Sequence, residues 1–161
     1  MLSPLVTLVR WCSSSALIVY IRDSQYGMPA VQSVHLVGIT LLLAAIIVLN
    51  VRLAGFGMRD AALGWLEHQL APWAAGAAVV VLLSGAVIFL GTPSKYVHSN
   101  PFRMKMVLLV LAIAFHFGVL RRWVASDRAS PARRGQLVVA GLSVTLWFLV
   151  GWAGRAIAFV P

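Results

Sequence analysis

The stretch from Val34 to Val51, VHLVGITLLLAAIIVLNV, contains no formally charged residue. That run constrains the fold more than any other feature of the chain. At ~1.5 Å of rise per residue it is long enough, as a helix, to cross a hydrocarbon layer of ~30 Å. It is preceded by polar Gln32 and Ser33, ends near Asn50 and Arg52, and carries His35 close to its start. An ionisable side chain inside such a span is costly to bury, which makes it a functional candidate by default. Composition agrees with a lipid environment: 61% of residues are hydrophobic and 11% charged, against ~25% charged in soluble domains. The 161 residues are read as a single integral membrane domain, residues 1–161.

Four spans are expected, at about residues 30–54, 72–91, 102–123 and 136–159. Pro72 is acceptable at the start of the second, where its missing N–H costs nothing. The third is uncharged between Met106 and Leu120, and the fourth between Leu137 and Gly154. Ahead of them, residues 5–21 put Leu5, Leu8, Val9, Cys12, Ala16 and Val19 on one helical face, with Thr7, Arg10, Ser13 and Ser14 elsewhere. That segregation suits an amphipathic helix lying in the membrane interface, with a fifth crossing as the alternative if Arg10 snorkels. RDSQYGMP then breaks the helix, with Gly27 and Pro29 as punctuation. GFGMRDAALGWLEHQLA reads as a turn and a short surface helix with Trp65 at headgroup level. The fold class that results is all-α: a transmembrane up-down four-helix bundle with an N-terminal amphipathic interfacial helix. Small residues allow close helix approach in span two (Gly76, Ala77, Ser84, Gly85) and span four (Gly141, Ser143, Thr145, Gly151).

The formal net charge of +9 would point to nucleic acid in a soluble protein. Here the thirteen Lys and Arg residues lie between or at the edges of apolar runs, where they orient helices and meet lipid phosphates. Nucleic acid is therefore not an expected partner; the lipid bilayer is. RRWVASDRASPARR packs five arginines into one loop, which the positive-inside tendency assigns to the cytoplasm. The start of the His35 helix is then expected to face the periplasm or cell exterior. The single cysteine, Cys12, rules out an internal disulfide and is read as a packing residue; no CxxCH for covalent haem attachment is present. The first residues lack a charged n-region before an apolar core, and Arg10 interrupts them, so a cleavable signal peptide is not expected. The four acids, Asp23, Asp60, Glu67 and Asp127, are all placed in loops, leaving no intramembrane carboxylate relay. Nucleophile-elbow, phosphate-loop and HExxH patterns are absent. An electron-transfer or accessory role is expected ahead of catalysis.

SALIVYIRDSQYGMPAVQSVHLVGITLLLAAIIVLNVRLAGFGMR and SGAVIFLGTPSKYVHSNPFRMKMVLLVLA together resemble a family of small bacterial integral membrane proteins of unknown function. The shared pattern is an amphipathic helix with Ile-Arg-x-Ser, a Pro, then His-Leu-x-Gly and a closing Arg-Leu-x-Gly. An Asn-Pro turn and a Lys opening the third span follow. The resemblance covers about residues 15–123 and implies the four-helix membrane fold. A looser likeness runs to CopD-type copper-resistance membrane domains and to b-type transmembrane cytochromes. Two departures stand out: Asn50 replaces an acid frequent in the closing motif, and FHF stands in span three where the pattern has an Asn.

Two chemistries would use the four histidines. In the first, a b-type haem lies between helices at the periplasmic side. His35, His98 and His116 are candidate cofactor ligands, Gly38 leaves room for a flat macrocycle, and Arg103, Lys105 or Lys95 pairs with the propionates. Counted along the helices, His35 lies ~7 Å and His116 ~20 Å from that side, so the pair is not expected on one iron. Such a protein would pass electrons to a membrane or periplasmic partner, with a quinone as candidate donor. In the second, His35 and His98 hold copper, helped by Met28, since thioether and imidazole suit Cu(I). The bland alternative is a cofactor-free accessory subunit in which His35 bridges helices. His68, in WLEHQL, reads as a surface residue.

Overall fold

The structure, a computed structural model, describes residues 4–58, 60–97, 99–125 and 133–157. Its elements are α1 (Pro4–Ser13), α2 (Ala16–Asp23), α3 (Gly27–Leu53), α4 (Leu63–Gly91), α5 (Pro93–Val97), α6 (Asn100–Ile113), a π-helical segment (Ala114–Leu120), α7 (Arg121–Ala125) and α8 (Arg133–Ala156). No strand occurs among the described residues, so the fold is all-α. Four helices are long and apolar enough to cross a membrane by length and composition: Gly27–Leu53, Leu63–Gly91, Asn100–Leu120 and Arg134–Ala156. Their outward residues fit lipid, with Leu36, Leu83, Val110 and Val138 all more than 60% exposed.

The expected N-terminal helix is two helices. Between α1 and α2 the Ser13 and Ser14 hydroxyls turn back onto the carbonyls of Arg10 and Trp11, both at 2.9 Å. Such bonds compete with the helical ladder, and Ser15 adopts an extended conformation ahead of Ala16. With 10 and 8 residues, neither helix approaches the ~20 needed to span. Their aromatic side chains are exposed, Trp11 and Tyr20 by 74% and 75%, as aromatic residues are at a membrane interface.

Two boundaries of the spans also differ from expectation. α3 starts at Gly27, three residues earlier; a Cβ there would strike the Ile21 carbonyl, so only glycine lets the chain turn this tightly out of α2. Pro29 falls in the first turn, which has no N–H bond to lose. α4 is continuous through Pro72, so the separate surface helix before the second span does not exist. Pro72 and His68, whose carbonyl loses its partner, both lie on an exposed face. Transmembrane helices tolerate such a proline where the freed carbonyl can be satisfied otherwise.

Contacts divide the chain into two compact units, Met1–Leu41 with Gly76–His98 and Leu42–Ala75 with Ser99–Pro161. In the first, α3 and α4 meet closely at Gly38, where a Cβ would lie 3.0 Å from Val81 and 3.1 Å from Val80. In the second, α6 packs along α8, and Leu49, Leu53, Leu120, Val124 and Ala140 form a buried apolar cluster. Ser99 caps α6 by accepting from the Phe102 N–H at 3.4 Å, with Pro101 in the first turn.

The closing motif of α3 has a physical explanation. Gly55 adopts φ +77°, its N–H donates to the Arg52 carbonyl, and the Phe56 N–H donates to the Val51 carbonyl. This is a Schellman cap, which satisfies the last carbonyls of the helix. The Arg52 guanidinium then donates from Nε to the Ala61 carbonyl at 2.9 Å and ties down the following turn. Gly55→Ala is expected to lower stability by ~1–2 kcal/mol, the cost of a left-handed residue with a Cβ. Reversible unfolding in mixed micelles checks this, and an unchanged midpoint would contradict the cap.

Candidate functional site

His35 lies on the third turn of α3, half-buried. Its Nδ1 is 2.8 Å from the hydroxyl of Ser84 on α4, and that hydroxyl sits 2.5 Å from the Val80 carbonyl. Two oxygens this close must share a hydrogen, so the Ser84 proton goes to Val80 and its oxygen is left to accept. His35 must therefore donate through Nδ1. In the neutral ring this network places the proton on Nδ1 and the lone pair on Nε2. The ring also rests against Gly85, where a Cβ would come within 3.2 Å of His35 Cε1.

This is the arrangement a metal-binding imidazole needs, since a ligating histidine almost always donates its other N–H to a fixed acceptor. Through Nε2 such a ring could hold a metal ion or a haem iron. Gly38 does not add a cradle for a macrocycle, because the space its missing Cβ leaves is filled by Val80 and Val81. Of the other ligand candidates, His98 lies outside the described residues. Met28, considered for copper, lays its sulfur over Gly91, 3.1 Å from where a Cβ would be. Among the described residues no three His, Cys, Asp or Glu side chains gather in one place.

Arg103, Lys105 and His116 belong to the second unit. Arg103 is exposed near the start of α6. Lys105 lays its ammonium on the α8 backbone, 3.4 Å from where a Gly154 Cβ would lie. His116 is 4% exposed within the π-helical segment. It packs edge-on against Phe117 and Trp147, with ring centroids 4.9 and 6.4 Å apart.

The second unit also holds polar residues that sequence reasoning did not bring together. Asn50, 3% exposed, donates to the Ile46 carbonyl at 2.8 Å and to Ser143 on α8 at 3.1 Å. Ser143 was a candidate for close packing only; it is a polar clasp. Glu67 is not in a loop but in α4, 9% exposed, and accepts from Arg121 Nε at 2.6 Å. Treating Pro72 as the helix start hid it. His68, the next residue, is exposed as expected. Three buried atoms, Asn50 Oδ1, His116 Nδ1 and Trp147 Nε1, have no hydrogen-bond partner among the described residues, and such orphans cost ~1–3 kcal/mol each when left dry.

The Asn50–Ser143 bond should show as a coupling of ~0.6 kcal/mol, at most ~1.7, in a double-mutant cycle with Asn50→Ala and Ser143→Ala, as for other polar pairs between membrane helices. Additive effects of the two substitutions would contradict the clasp.

Against known proteins, residues 8–160 match one family, described as "Family of unknown function (DUF6644)". No curated protein matches the chain, and no solved structure does.

Proposed function

From the premise that the chain belongs to the DUF6644 family of unknown function, we propose that it is a membrane-embedded, b-type cytochrome-like electron-transfer subunit. In this reading His35 offers Nε2 to haem iron. The observation that supports it is the hydrogen bond from His35 Nδ1 to Ser84, backed by the Val80 carbonyl, which leaves the lone pair on Nε2 and fixes the plane of the ring. Haem, when bound, would supply one-electron chemistry at a potential set by its axial ligands. The chain's own contribution is orientation and basicity. Ser84 holds the imidazole, and Gly85 leaves room for its edge. His98 would be a candidate second ligand in this proposal. Likeness to CopD-type domains and b-type cytochromes belongs to this proposal as well. So do a bacterial inner-membrane location with the His35 helix starting at the periplasmic side, a membrane or periplasmic protein partner, and a quinone as donor.

A second reading is favoured by the valines that fill the space at Gly38. There the His35–Ser84 bond is an interhelical clasp in a cofactor-free accessory subunit. An absorbance spectrum of the purified, haem-supplemented protein separates the two. The electron-transfer reading predicts a stoichiometric Soret band that disappears in His35→Ala and persists in His68→Ala. A colourless preparation overturns it in favour of the accessory subunit, and a band indifferent to His35 overturns the role given to His35.

A further inference from the structure

A small cavity of about 10 Å³ lies in the second unit, lined by Glu67 and His116 and by apolar residues that include Ala71 and Ala74. Apart from Glu67 and His116 its walls are apolar. An engineered cavity with wholly apolar walls stays dry, whereas one that is polar and holds about one probe sphere can take a single water. His116 supplies this cavity with an unsatisfied polar atom. It is 96% buried by its 4% exposure, and its Nδ1 lacks any partner among the described residues. Glu67 adds a strong acceptor already held in place by Arg121 Nε at 2.6 Å.

The π-helical segment gives the reason the ring is there. The Arg121 N–H donates to the His116 carbonyl, five residues back, so the helix is one residue wider per turn at this point. Such segments recur at functional sites because they turn a side chain away from the face that α-helical spacing would give it. Here that side chain is the only histidine in the lining of the cavity.

We infer that this cavity is a hydration site, in which one water molecule bridges the Glu67 carboxylate and the His116 imidazole. The bridge joins the buried ring to the Glu67–Arg121 ion pair. The Arg121 side chain of that pair is 44% exposed, so a hydrogen-bonded line runs from the interior of the unit to its surface. Nothing in the electron-transfer reading of His35 enters this inference.

Water-to-ring magnetisation transfer in the full-length protein, labelled with ¹⁵N-histidine in detergent micelles, tests it. The His116 signals are assigned by their loss in His116→Gln. Transfer from water to the His116 ring is expected in the natural sequence. It should be retained in Glu67→Gln, whose amide still bonds water, and lost in Ala71→Leu, which fills the cavity from a half-buried position. Should Ala71→Leu fail to fold, Ala74→Val fills the same space. Absent transfer in the natural sequence, or undiminished transfer in the filled variant, overturns the site.

Discussion

Hydrocarbon offers no hydrogen bonds, so every polar group that enters a span must be answered from within the protein. That constraint orders the whole molecule. Backbone groups are answered by helices, and the end of α3 by the Schellman cap at Gly55. Three pairs of polar side chains answer one another: His35 and Ser84, Asn50 and Ser143, and Glu67 and Arg121. Each of these pairs joins different helices, so the same interaction that satisfies a polar group also fixes helix register. Apolar contact cannot do this alone in lipid, where side chains gain little by leaving the solvent for each other.

The spans were legible because their signal is an absence of charge over a length set by the bilayer, and such a signal survives errors of a few residues. Local interruptions were not legible in the same way. Pro72 is compatible with a helix start and with a tolerated break, and only the exposed face around His68 decides for the latter. Ser13 and Ser14 look like a polar stripe on one helix, yet their hydroxyls end it. The π-helical segment is the sharpest case. Positions of His116 counted from Lys105 at α-helical spacing are correct up to Ile113 and slip afterwards, because Ala114–Leu120 turns more slowly. No residue pattern in AFHFGVL announces that change.

The candidate site was half legible. His35 stood out because an imidazole in a span requires an explanation, and Ser84 stood out as a small residue; that the two are bonded depended on the rotation of α3 against α4, which periodicity does not give. Gly38 was identified as a gap, but its neighbours Val80 and Val81 close that gap. Glu67 was missed because a carboxylate close to a proline reads as a loop. Its signal was available in Arg121, a basic residue at the end of an apolar run.

The account turns on one proton: it must sit on Nδ1 of His35, held by Ser84, for Nε2 to carry the lone pair that a metal would use. Long-range ¹H–¹⁵N correlation spectra of the histidine-labelled protein without added haem read that directly. A protonated Nδ1 and an unprotonated Nε2 at His35, giving way to mixed tautomers in Ser84→Ala, is the result this account predicts. A proton on Nε2 in the natural sequence, or a tautomer that ignores the loss of Ser84, would contradict it.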